Sequence, residues 1–194
     1  MPSLEYDLRY LRAALADLEE YLFSQEIYWP IGVTPPRGEP PYPRLTMGGI
    51  LLARQSLGAR PMEPAQAEEM YDLIGHLDET RTKWRVAWGA KAARGFSSRL
   101  TQWKNFIEDY RKQPENNQDR YAYEVRGRAM LQLLQPESSE IPAGELALFT
   151  GLDLILEDYF MEGNFVWGTE LTLSFPKSQF WYLYGSLSAS LPVK

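Results

Sequence analysis

Residues 4–22 read LEYDLRYLRAALADLEEYL. Leu4, Leu8, Leu11, Leu15, Leu18 and Leu22 recur at spacings of 4, 3, 4, 3 and 4, which puts all six on one stripe of an amphipathic helix. Ser3 stands just before it, a residue type whose hydroxyl can accept from the open amides of a first turn. The seam is about three heptads long, and at that length a bundle helix fits better than a coiled coil.

The remainder of the chain leans the same way. It has 26 Leu against 12 Val plus Ile, and β-branched side chains lose rotamer freedom on a helix where Leu does not. The 194 residues suit one domain. Thr46 caps a short helix over about 47–57 with Gly58 as its stop. A further helix runs from about 65 with Met70, Leu73, Leu77, Trp84 and Trp88 in period, and Gly89 and Gly95 are candidate points for it to bend or end. The next helix continues to about 112 through Leu100, Trp103, Ile107 and Tyr110. QPENNQD at 113–119 reads as a loop, Asp119 as the cap of a helix through Leu134, and 143–161 as the last helix.

The expected fold is mainly α: a single-domain bundle of five to six helices over residues 1–163. An extended or β appendage, rich in aromatics, packs on it from 164 to 194.

Two segments interrupt the helical pattern. IYWPIGVTPPRGEPPYPRLT at 27–46 holds six prolines between Pro30 and Pro43. Proline lacks the amide donor and keeps its predecessor out of the helical region, so the segment is extended. Its large apolar residues Tyr28, Trp29, Ile31 and Tyr42 favour a crossover strap pinned to the bundle over a lid or a proline-rich ligand. At the C-terminal end, Leu171, Leu173 and Phe175 alternate and SQFWYLYGSL is nearly all aromatic, compatible with two short strands or a strap.

Composition removes much chemistry. Without cysteine there is no thiolate nucleophile, disulfide or Cys-ligated metal, and a single histidine, His76, precludes a histidine-rich metal site. The charged N-terminus fits neither a signal peptide nor an anchor, and no apolar run approaches a membrane span. The expectation is a cytoplasmic protein without a membrane role and with no cofactor.

The net charge of −6 is unevenly spread: −7 over residues 1–80, +7 over 81–128 and −6 over 129–194. In the basic middle, a helical projection puts the aromatics on one broad face with Leu100 and Ile107. Lys83, Lys91, Arg94, Lys104 and Lys112 fall on the solvent side, while Arg81, Arg85 and Arg99 lie in or beside the apolar face. A guanidinium there needs an anion. The protein's own carboxylates are the first candidates, an acidic partner or anionic metabolite the second, and single-stranded nucleic acid the third.

Two acidic groups could hold a metal. Glu69, Asp72 and His76, with Glu79, share a helix face by spacing, and Asp153 and Glu157 are one turn apart. Joined between two helices they would make a magnesium-dependent phosphohydrolase. Each group reads more simply as a solvated helix face. The clustered rings Trp167, Phe180, Trp181, Tyr182 and Tyr184 read equally as interface anchors or as a lid over the open end of the bundle, and with Trp29 and Tyr42 of the strap they are the candidate interaction residues. The leading functional expectation is a non-enzymatic module that self-associates or binds a protein partner. The phosphohydrolase and nucleic-acid binding through 81–128 are the alternatives.

Overall fold

The computed structural model describes residues 3–189. It is mainly helical with a small two-stranded antiparallel sheet at the C-terminal side. The leucine seam forms α1 (Leu4–Ala16) and α2 (Leu18–Phe23), separated only at Asp17, and the Ser3 hydroxyl accepts from the Tyr6 amide at 3.2 Å. Leu8, Leu11, Leu15, Leu18 and Leu22 are all buried, so the break leaves the stripe intact. Next comes α3 (Met47–Leu57), whose Thr46 side chain accepts from the Gly49 amide at 3.0 Å.

Trp84 separates α4 (Pro64–Lys83) from α5 (Arg85–Lys112). Gly89 and Gly95, the expected breaks, lie within α5 instead. Here tertiary packing overrides the helix cost of about 1 kcal/mol per glycine. A Cβ on Gly95 would already be in van der Waals contact with Met47 and Leu134, and one on Gly89 with the Glu137 carbonyl. At 28 residues α5 is the longest element, and it packs against α2, α3, α4, α7 and α8. Its face of Trp88, Phe96, Leu100, Trp103, Phe106, Ile107 and Tyr110 is buried, as the projection required.

The segment expected to be a loop holds a single turn, α6 (Pro114–Asn117), and a 3-10 turn over Gln118–Arg120. Pro114 tolerates the first helical position because its missing amide would be unpaired there anyway. Helix α7 (Tyr121–Leu134) starts after Arg120, so Asp119 is not its cap. α8 (Ala143–Tyr159) ends two residues earlier than expected, because Phe160 begins β1 (Phe160–Phe165).

β1 pairs with β2 (Tyr184–Leu187), Phe160 opposite Leu187 and Glu162 opposite Gly185. Gly185 is required by this approach, since a Cβ there would sit 2.1 Å from the Met161 carbonyl oxygen. The alternating Leu171, Leu173 and Phe175 stretch is not a strand. It lies in the 3-10 turn Thr169–Leu171 and the bends after it. Helix side chains stitch this region down: the Tyr121 hydroxyl donates to the Tyr182 carbonyl at 2.6 Å, and Gln132 Nε2 to the Gln179 carbonyl at 2.9 Å.

Lys91 departs from the sequence projection. It is 2% exposed rather than solvated. The chain leaving α2 presents carbonyls to it, and Nζ donates to Ser24 O at 2.7 Å and Glu26 O at 2.9 Å while lying 4.3 Å from the Tyr21 ring centroid. An ammonium suits carbonyls left open beyond a helix C-terminus. No helix among the described residues is long and apolar enough to cross a membrane.

Candidate anion-binding site

The proline segment is the roof of the site. It leaves α2 and returns to α3, closed at its base by mutual backbone hydrogen bonds between Trp29 and Leu45 of 3.0 and 2.8 Å. The turn at its far end uses Gly38 at φ +98°, a conformation that favours glycine. From α1, the Tyr6 hydroxyl donates to the Pro41 carbonyl at 3.0 Å, Arg9 pairs with Glu39, and Tyr6 and Tyr10 pack on the Tyr42 ring at 5.1 and 6.1 Å between centroids. Tyr28, on the other side, shares a hydrogen bond of 2.9 Å with Ser98 of α5.

Beneath this roof is a cavity of about 600 Å³. Its walls follow helical spacing. α1 gives Tyr6, Asp7 and Tyr10; α3 gives Gly49, Leu52, Ala53 and Ser56; α7 gives Tyr123, Arg126 and Met130; α5 gives Arg99; and the strap gives Tyr28, Pro40, Pro41, Pro43 and Arg44. A smaller chamber of about 150 Å³ adjoins it, sharing Pro43, Arg99, Tyr123, Arg126 and Met130 and adding Trp103 and Glu124.

Charge in these chambers is unbalanced. Both carboxylates are already engaged: Asp7 by Arg60 at 2.7 Å, and Glu124 by Arg120 at 2.9 Å. Arg44, Arg99 and Arg126 meet no carboxylate among the described residues. Arg99 bonds only the neutral Gln102, at 2.8 Å. Burial holds its pKa below the usual arginine value, and the neighbouring Arg126 adds to that depression while Tyr28, Tyr123 and Glu124 oppose it.

Three buried donor atoms along the walls of the two chambers have no partner among the described residues: Arg126 Nε, the Tyr10 hydroxyl and Trp103 Nε1. Tyr10 is 3% exposed, and burial raises its pKa above the ordinary tyrosine range. Burial likewise raises the Asp7 carboxyl, against the opposing pull of Arg60. A buried donor without an acceptor costs about 1–3 kcal/mol, and three along two adjoining chambers favour a ligand rich in acceptors.

The other expected site residues are placed as follows. Of the three arginines, Arg81 pairs with Glu137 at 2.9 Å and Arg85 lines an open groove with it, while Arg99 alone reaches the cavity. Glu69 pairs with Arg12, and Asp153 with Arg128 through two bonds of 2.7 Å. Asp72, His76 and Glu157 are exposed. Among the described residues no group of three or more His, Asp or Glu side chains is placed to hold a metal ion. Phe180 and Tyr182 are buried in the chain's own core, and Trp29, Trp167, Trp181, Tyr184 and Tyr42 are partly buried against core residues.

Sequence reasoning passed over Tyr6, Tyr10 and Arg126. A signal was present: Tyr6 and Tyr10 form a second stripe on α1 beside the leucines, and Tyr123, Arg126 and Met130 repeat at spacings of 3 and 4. No protein-family model, curated protein or solved structure matches this chain.

Proposed function

We propose that this protein is a binding module for a small organic anion, held beneath the proline strap. The observation that carries the reading is the convergence of Arg44, Arg99 and Arg126, none paired with a carboxylate among the described residues, on two adjoining chambers, the larger lined also by Tyr10 and the smaller by Trp103, whose side-chain donors find no partner among those residues. The two buried arginines are answered within the fold, Arg60 by Asp7 and Arg128 by Asp153. A cavity of about 600 Å³ is in the range of sites that enclose a whole small molecule. Its lining supplies cations, hydroxyls and rings but neither histidine nor cysteine, which favours binding over nucleophilic chemistry. Self-association through the aromatic tail draws less support, because Phe180 and Tyr182 are occupied in the core.

The test is thermal melting and calorimetric titration of the full chain with a panel of anions: inorganic phosphate, aromatic carboxylates and organic phosphates. At least one should raise the melting temperature at low salt and less so at 0.5 M salt, where charges are screened. Arg126→Gln should abolish the shift. Absence of any shift at low salt with every anion rejects the reading.

A further inference from the structure

Resting on the anion-site reading, we infer that the ligand is a phosphate monoester with a planar aromatic body. The first argument is charge. A carboxylate carries one negative charge and satisfies a single guanidinium fork, whereas a phosphate monoester carries about −1.5 to −2 and three terminal oxygens. Three arginines that pair with no carboxylate among the described residues, two of them half-buried, match the second better than the first.

The second argument is shape. Arg99 and Arg126 belong to the wall shared by the two chambers. The smaller one, about 150 Å³, has room for a phosphoryl group and is lined by Trp103, whose indole N–H has no partner among the described residues. The larger one, about 600 Å³, has tyrosine and proline walls suited to a flat ring, and the unpartnered Tyr10 hydroxyl on its lining offers that ring one polar contact. Tyr123 adds an exposed ring beside Arg99, on the lining of both chambers, that a planar ligand could stack on.

An aromatic phosphate monoester can be a nucleoside monophosphate or a simple aryl phosphate, and the titration separates them. The probes are the four common nucleoside monophosphates, phenyl phosphate, ribose 5-phosphate, inorganic phosphate, adenosine and benzoate, each added to the full chain at low salt. An aromatic phosphate should bind at least about tenfold tighter than ribose 5-phosphate, the factor expected from one stacked ring, and at least about tenfold tighter than adenosine, which has the ring but no phosphate for the arginines. Preference for a nucleotide over phenyl phosphate, or the reverse, identifies the source. Tyr123→Ala should cost about tenfold for the aromatic phosphate and less than twofold for ribose 5-phosphate, and Arg126→Gln should weaken both. Equal binding of ribose 5-phosphate or inorganic phosphate, or tighter binding of benzoate, overturns this inference and leaves the anion site standing. No binding by any probe overturns both.

Discussion

Arg99 of α5 and Arg126 of α7 face one cavity, neither in an ion pair with a carboxylate among the described residues, and Arg126 helps to hold the pKa of Arg99 below its ordinary value. Two residues further along α7, Arg128 is bonded twice to Asp153 and lies between the rings of Phe149 and Tyr182 at 4.2 and 4.3 Å. One helix thus carries a guanidinium that the fold has neutralised and another that it has not. Like charges kept together without a partner lower stability, and they are retained where a site uses them.

Arg126→Gln should therefore leave the ligand-free protein unchanged in stability or up to about 1 kcal/mol more stable, since it relieves repulsion with Arg99. Urea denaturation at low salt measures this. A loss above about 1 kcal/mol would make Arg126 a structural residue and remove the main support for the site.

Arg128→Met should behave in the opposite way. It strands Asp153 beside the core and removes the cation between two rings, for a loss of about 3 kcal/mol. The double variant Arg128→Met with Asp153→Leu should recover much of that, because neither charge is then left alone. Denaturation midpoints of the two single variants and the double variant form the cycle that tests it.

Gly49→Ala probes the cavity floor. Its Cβ would sit 2.8 Å from the Tyr10 hydroxyl and 3.0 Å from Thr46 Oγ1, so it presses on both a cavity donor and the cap of α3. The gain in helix propensity is about 1 kcal/mol and the overpacking cost about 1–3 kcal/mol, which leaves a net loss of about 1 kcal/mol. Any stabilisation by bound anion should shrink as well. A variant more stable than the parent with undiminished anion binding would show that Tyr10 is free to move.

Lys91 predicts a pH dependence. Burial, reinforced by Arg94 and opposed by Glu26, lowers its pKa from 10.5 to about 8. Between those values the unfolded chain binds the extra proton, so this residue's contribution to stability rises with pH from about 8 to about 10.5 and is flat below. The stability difference between the parent and Lys91→Met, followed by denaturation from pH 7 to 10.5, should grow accordingly. A constant difference would show that the carbonyls of Ser24 and Glu26 keep the ammonium fully charged.

Local features of the chain were legible where the cause was local. Thr46 and Gly58 bound α3 at the expected residues, because capping and stopping a helix depend on side chains within a few positions. Gly89 and Gly95 were misleading because their helix is held by Leu134, Met47 and Glu137, all distant in the chain. Lys91 was misplaced because a helical projection shows a face but not the open carbonyls of Ser24 and Glu26 that come to meet it. Phe160 and Leu187 pair across 27 positions, beyond the reach of a short alternation such as Leu171 to Phe175.

By itself the sequence determined a mainly helical, cysteine-free chain with a leucine seam, a proline strap and a basic middle, since period, composition and capping act over a few residues. Only the tertiary structure decided which cations are answered. Arg60 finds Asp7 from 53 positions away and Arg128 finds Asp153 from 25, while Arg44, Arg99 and Arg126 are brought to one cavity and pair with no carboxylate among the described residues. Charge pairing is set by distances across elements, and those exist only once the helices have packed.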